Sequence, residues 1–245
     1  MKVAALIPHF NHEAKVHQVV SAMRGQGLDV LIVDDGSDAK AHEVLKRLAA
    51  QDDGVRVHFC PQNGGKGHAM KVGFRWADEL GYSHVLQVDA DAQHHLADAT
   101  RMLMMSRQHP DTLICGKPVY GDDAPKARLY GRKLTNFWAT VNAEGTRIHD
   151  AMCGFRLYPL APVLQVIEHY RTGDRMEFDI AILVYLSWQK VPIIWIPTTV
   201  RYDQHGVSHF MPFKDNARIS LLHTRLCFEH IGRLIGSLLR RRERP

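Results

Sequence analysis

The 245-residue sequence is poor in cysteine: Cys60, Cys115, Cys153 and Cys227 stand far apart, with no CxxC pair among them. That excludes a zinc-ribbon or disulfide-framework fold and suits a reducing compartment, the cytoplasm. No unbroken run of about 18 apolar residues occurs, so no segment is expected to span a bilayer. The apolar stretch behind Met1 is too short for a signal peptide. Sixteen histidines are present, but no HExxH pair and no closely spaced trio of metal ligands. A GxxxxGK[ST] phosphate loop is also missing. Excess charge is missing from most of the chain. From Lys214 to Pro245 there are eight basic residues against three acidic ones, which accounts for the whole formal charge of +5. A general nucleic-acid binder needs a basic face on its folded body, and none is expected here.

What is present is alternation. Strand-like apolar runs at 3–7, 30–33, 55–59 and 85–88 alternate with helical patterns at 12–23, 39–50 and 68–80. Short β-branched runs bounded by Gly, Asp and Pro suit strands buried on both faces. The pattern predicts an α/β fold, Rossmann-like, with a mostly parallel central sheet and helices on both faces. Further on, a strand at 112–115, helices at 127–141, 161–170 and 176–188, and a strand at 193–196 are expected. No repeat or low-complexity linker divides the chain, so one domain over 1–213 with a helical tail over 214–245 is the economical reading.

The chemistry-bearing residues cluster where these strands end, which is where such sheets bind ligands. Pro8-His9-Phe10-Asn11 follows the first strand and Asp34-Asp35-Gly36-Ser37 the second. Asn63-Gly64-Gly65-Lys66-Gly67 follows the third and Asp89-Ala90-Asp91-Ala92-Gln93-His94 the fourth. Two carboxylates on one tight turn, Asp89 and Asp91, suit Mg²⁺ or Mn²⁺ bridging a nucleotide diphosphate, although a solvated surface turn has the same spelling. Asp35 reads either as part of a turn ahead of a helix capped by Ser37 or Asp38, or as an acceptor for a nucleobase N–H. Lys66 and its glycines favour phosphate at a helix start, or form a plain flexible loop. Asp150-Ala151-Met152-Cys153-Gly154-Phe155-Arg156 and Arg175-Met176-Glu177-Phe178-Asp179 add carboxylates; those of the second stretch are also explained by a helix dipole.

As an ordered set, these landmarks resemble family 2 glycosyltransferases of the GT-A fold, in the branch that holds the dolichyl-phosphate mannose synthases and their bacterial relatives. The resemblance runs from about Lys2 to Ser208. It implies that Pro8, Phe10, Asn11, Asp35, Lys66, Gly67, Asp89 and Ala90 hold a nucleotide-sugar donor, and that Asp89, Asp91 and Gln93 arrange the metal. It implies a polyprenyl-phosphate or other lipid-linked acceptor met by Lys117 and Arg132. A late segment, Arg201-Tyr202-Asp203-Gln204-His205-Gly206-Val207-Ser208-His209, would close over the ligands through Arg201, Ser208 and His209. Lysine is expected where His209 stands, and a neutral histidine grips an anion less firmly. The stretches 175–179 and 207–210 also resemble a bacterial subgroup found beside, or fused to, lipid acyltransferases, which would make one a partner.

The implied reaction is an inverting displacement in which Asp91 serves the metal and diphosphate. A hydroxyl acceptor would need a general base, for which Glu177, Asp179 or Asp150 are candidates. A phosphate acceptor would need none. The tail carries an apolar stripe, Ile219, Leu222, Leu226, Cys227, Ile231, Leu234 and Leu238, ending in Arg240-Arg241-Arg242. Such a helix suits the anionic inner-membrane surface as a peripheral anchor, or packing on the body. Two other classes compete. A sugar nucleotidyltransferase would carry a GxGTR-type loop after the first strand, and Gly145-Thr146-Arg147 comes too late for it. A non-catalytic binding protein would not need both Asp89 and Asp91.

Overall fold

The computed structural model describes residues 1–121, 126–200 and 211–242, with side chains left out at 126–128 and 237–242. The chain runs β1 (Val3–His9), α1 (Glu13–Arg24), β2 (Asp29–Asp34), α2 (Ala39–Gln51), β3 (Val55–Phe59), α3 (Lys66–Glu79), β4 (His84–Gln87) and α4 (Asp98–Gln108). It continues through β5 (Leu113–Tyr120), α5 (Lys126–Asn142), β6 (Arg156–Pro159), α6 (Leu160–His169), α7 (Phe178–Trp188), β7 (Ile193–Val200) and α8 (Pro212–Arg242). The strands form one seven-stranded sheet in the order β3-β2-β1-β4-β6-β5-β7. Every pairing is parallel except those of β6, which runs antiparallel between β4 and β5.

Alternate residues of β1 divide the core. Ala4 and Leu6 face a layer built from α3, α5, α6, α7 and α8. Ala5 and Ile7 face the smaller layer of α1, α2 and α4. Helix α7 is buried at every position, which explains why its sequence is apolar all round rather than on one stripe.

Two elements have no counterpart in the periodicity reading. Helix α4 does carry a helical stripe, Ala99, Met102, Leu103 and Ser106, all buried. Strand β6 is four residues long and includes a charged residue, Arg156, which no strand pattern anticipates. The stripe read in the tail also needs correction. Ile219, Leu222 and Leu226 are the inner face of α8, packed into the larger core layer, and are not free to meet a lipid surface. The expected boundary at 213/214 falls within the first turn of α8.

Candidate active site

The first two loops are tied to each other. Asp34 is fully buried at the end of β2 and accepts from His9 Nδ1 at 2.8 Å and Ser37 Oγ at 2.5 Å. His42 Nε2 lies 3.0 Å from its other oxygen. Burial works against ionising Asp34, but the hydrogen bonds from His9 and Ser37 prevail and hold its pKa below the ordinary range. Asn11, in the left-handed region at φ 49, accepts from the Asp38 N–H at 3.0 Å and donates its own N–H to Ser37 Oγ at 2.9 Å. Asp38 caps α2 by accepting from the Ala41 N–H. Pro8 and Phe10 are half-buried beside this network.

Asp35 anchors the glycine loop. Its two oxygens accept from the Gly64 and Gly65 N–H groups at 2.9 and 2.6 Å. Burial raises its pKa despite those bonds. Lys66 starts α3 and reaches inward, with Nζ 2.7 Å from Asp89 and 2.8 Å from Asp179. Burial disfavours the ammonium, but the two carboxylates outweigh it and drive the lysine pKa up. Gly67 is a packing position: a Cβ there would lie 2.6 Å from Phe178 Cβ, so its absence lets α3 approach α7.

Asp179 also accepts from Gln87 Nε2 at 3.1 Å, and Gln87 Oε1 accepts from Tyr158 at 3.0 Å. Arg156, fully buried, donates to the carbonyl oxygens of Asp179 and Ala151 at 2.7 and 2.8 Å. One polar network thus joins β4, β6, α3 and α7 under the Asp89 loop. Asp179, expected as a free base, has both carboxylate oxygens engaged within it. Glu177 stands apart, accepting through Oε1 from the Asp174 and Arg175 N–H groups.

Asp89 and Asp91 line a cavity of about 80 Å³ with Gln93, His94, Tyr120, Arg132 and Gly154. The turn is pinned by the Gln93 N–H donating to Asp91 Oδ1 at 3.1 Å. Ala92 adopts φ 55, a conformation that costs about 1 kcal/mol or more and tends to persist at functional turns. Ala90 points into the smaller core layer. Asp89 Oδ1 is paired with the Lys66 ammonium but has no hydrogen-bond donor aligned on it. Two carboxylates and an amide side chain lining one small cavity fit a hard divalent ion such as Mg²⁺ or Mn²⁺. Burial opposes ionisation of Asp89, yet Lys66 holds its pKa low. Burial, and then the charge of Asp89, push Asp91 up to about 6. His94 stacks on Phe155 at 5.3 Å, and burial pushes it down to about 4, so it is neutral near pH 7.

These shifts carry a pH prediction. A ligand carboxylate must ionise, so the affinity for Mn²⁺ is expected to fall about tenfold per pH unit below the Asp91 value of about 6. Mn²⁺ titrations at pH 5.0 and 7.5 test it, and equal affinities would refute the role of Asp91.

The other wall is basic. Asp150, buried, grips Arg132 Nη1 with both oxygens at 2.8 Å and accepts from Tyr120 Oη at 3.1 Å and the Met152 N–H at 2.9 Å. Asp150 is therefore a clamp on Arg132, not a free base. Lys117 is exposed on β5, opposite Pro197. Arg201, Ser208 and His209 lie outside the described residues. Sequence reasoning assigns no site role to Gly154, Arg156, Gln87, Tyr120 or Asp34. The Cys-Gly-Phe-Arg run was the available signal for the first two.

Residues 4–164 match the model of the glycosyl transferase family 2. A polyprenol monophosphomannose synthase of Mycolicibacterium smegmatis is 26% identical over 217 residues, 84% of this chain and 80% of its own. A UDP-N-acetylglucosamine–dolichyl-phosphate N-acetylglucosaminyltransferase of Methanococcus voltae is 23% identical, over 83% of this chain and 87% of its own. Among solved structures, glucosyl-3-phosphoglycerate synthase from Mycobacterium tuberculosis, crystallised with Mn²⁺, UDP-glucose and glycerol 3-phosphate, shares the fold. Its TM-score is 0.65 at 15% identity, covering 94% of this chain and 80% of that one. The matched span holds the first four strand-end loops, the antiparallel β6 and every polar residue that lines the Asp89–Arg132 cavity, and the chain belongs to glycosyl transferase family 2.

Proposed function

We propose that the protein moves a sugar from a GDP- or UDP-sugar to a polyprenyl phosphate or similar lipid-linked acceptor at the cytoplasmic face of the membrane. The observation that carries this reading is one cavity with an acidic wall, Asp89 and Asp91, facing a basic wall, Arg132 clamped by Asp150. Asp89, Asp91 and Gln93 would hold Mg²⁺ or Mn²⁺, whose Lewis acidity neutralises the departing diphosphate. Pro8, Phe10, Asn11 and Asp35 line the nucleoside end. Lys66 keeps Asp89 ionised and aimed. Arg132, held in fixed orientation, presents a guanidinium to the acceptor phosphate. The acceptor oxygen attacks the anomeric carbon from the side opposite the leaving diphosphate, inverting it. A phosphate oxygen is already ionised, so no base is needed, and the engaged states of Asp179 and Asp150 agree with that.

Support also comes from the polyprenol monophosphomannose and the dolichyl-phosphate in the names of the two relatives. The test is direct. With Mn²⁺, one of the GDP- or UDP-sugars is expected to raise the melting temperature and to be transferred to a polyprenyl phosphate, but not to the matching polyprenol. Equal transfer to the alcohol would sink the phosphate reading and return Glu177 and Asp179 to consideration. Glu177→Gln and Asp179→Asn would then separate them.

A second expectation concerns the basic wall. Asp150→Asn loosens Arg132, and the acceptor KM is expected to rise about tenfold, as charge-assisted contacts are worth about 1.5–3 kcal/mol. Donor affinity should stay within about twofold, since Asp150 does not touch the acidic wall. Donor and acceptor titrations of the variant check this, and a loss confined to the donor would move Arg132 to the other substrate.

A further inference from the structure

Helix α5 has two unlike sides. Arg132 faces the cavity with Asp89 and Asp91, while Tyr130, Leu134, Phe137, Trp138 and Val141 are all exposed, Tyr130 at 71% and Leu134 at 62%. These five positions recur at helical spacing and form one stripe on the side away from Arg132. Soluble surfaces rarely gather so many large apolar groups on one stripe, and three of these are aromatic. Helix α8 packs directly against α5. Its outer face continues the pattern with Phe228, Ile231 and Ile235, at 72%, 51% and 53% exposure. Val141 of α5 and Leu234 of α8 line one groove of about 500 Å³ between the helices. No helix among the described residues is long and apolar enough to cross a bilayer.

We infer that the joined outer faces of α5 and α8 form a docking surface for an anionic lipid bilayer, with α5 lying between that bilayer and the acceptor wall of the cavity. Charge selects this occupant. On the edge of the stripe α5 carries Lys133, and the helix sequence contains no acid. A second copy packed about a twofold axis would set this basic helix against itself, which is repulsive. An anionic leaflet attracts it, by about 1 kcal/mol per basic residue near the surface. Lys133 lies 5.5 Å from the centre of the Tyr130 ring, so charge and apolar stripe share one edge. Tyr and Trp side chains suit the headgroup level, apolar body inward and polar tip outward. Leu221, at 71% exposure, extends the face along α8. The 31 residues of α8 make it about 46 Å long, enough to lie along the surface. The surface would bring a lipid phosphate within about one helix diameter, roughly 10 Å, of Arg132. Its purpose rests on the lipid-acceptor reading, but the binding itself does not.

Flotation of the full chain with vesicles of phosphatidylglycerol and phosphatidylcholine, against phosphatidylcholine alone, tests the inference. The wild type is expected to float with the anionic vesicles and to be released by high salt. The double variants Leu134→Glu/Phe137→Glu and Phe228→Glu/Ile231→Glu are each expected to lower the partition by roughly tenfold or more. Both should keep the Mn²⁺-dependent thermal shift with donor, which shows that they fold. Wild-type protein that stays at the bottom overturns the inference, as do variants that float as well as the wild type. So does a wild-type dimer in sedimentation that these substitutions dissolve, since the occupant would then be a second copy. Flotation without any sugar transfer would sink the proposed reaction and leave the docking surface standing. Transfer to a short, water-soluble prenyl phosphate without flotation would do the reverse.

Discussion

Gly154→Ala is expected to lower turnover by about a thousandfold and to abolish the Mn²⁺-dependent binding of donor. A Cβ at that position would lie 2.2 Å from Asp89 Oδ2 and 2.6 Å from its Cγ, distances no real side chain tolerates. One of the two must move. Asp89 cannot rotate away cheaply, because Lys66 holds its other oxygen at 2.7 Å. Position 154 cannot retreat either, because Cys153 and Phe155 on its two sides are buried in the smaller core layer. The substitution therefore displaces the carboxylate that the acidic wall depends on. Losing one preorganised electrostatic contact in an active site typically costs about 10²–10³ in rate, and misplacing a metal ligand costs more. The control is Gly131→Ala, where a Cβ meets nothing within 4 Å. On α5 that change should leave activity unaltered and add up to about 1 kcal/mol of stability. Steady-state kinetics, Mn²⁺ titration and thermal melts of both variants settle the matter. A Gly154→Ala enzyme within about threefold of wild type would show that Asp89 has no fixed place in catalysis.

The reason for that glycine was not legible in the sequence, although the residue was. Cys153-Gly154-Phe155-Arg156 could be noticed as a run, but what it opposes depends on β6 being antiparallel. Its register pairs Gln87 with Arg156, and two residues on from Gln87 and two back from Arg156 the same register sets Asp89 across from Gly154. A four-residue strand with a buried arginine has no periodicity that announces it. The parallel half was legible, because β1, β2 and β4 are buried on both faces and their ends must carry the polar residues, while the edge strand β3 is largely exposed. The acids at 89 and 91 were visible for that reason. Asp34 and Asp35 show the limit of such reading. Their spelling is that of a turn, yet one anchors His9 and Ser37 while the other holds the glycine loop. Which face of α8 turned inward was equally hidden. Ile219, Leu222 and Leu226 and the outer stripe at Leu221, Phe228 and Ile231 both keep helical spacing, and only the position of α7 and α5 decides between them.

Lys66→Ala is the other change with a large expected effect, on stability before activity. The ammonium sits between Asp89 and Asp179, whose side chains are 25% and 4% exposed. Removing one member of a buried ionic group leaves the rest uncompensated, at a cost of about 3–5 kcal/mol. For a chain of this size that is a melting temperature lower by roughly 10 °C. The loss should depend on pH, with a definite sign. Lys66 holds Asp89 below its ordinary pKa, so this contribution is full above the unfolded value and fades as pH falls through the depressed one. The gap between wild type and variant is therefore widest near neutral pH and narrows under acid. Two further comparisons tell this from a simple cavity. Mn²⁺ should stabilise the variant more than the wild type, because a cation then returns beside Asp89. Lys66→Met combined with Asp179→Asn should cost less than the single losses added together, since the second change removes a stranded charge. Melts at pH 2.5, below the ordinary carboxylate value, and at pH 7.5, the latter with and without Mn²⁺, measure all three. A pH-independent loss, additive with Asp179→Asn, would mean that Lys66 acts by packing and that Asp89 keeps its charge without it.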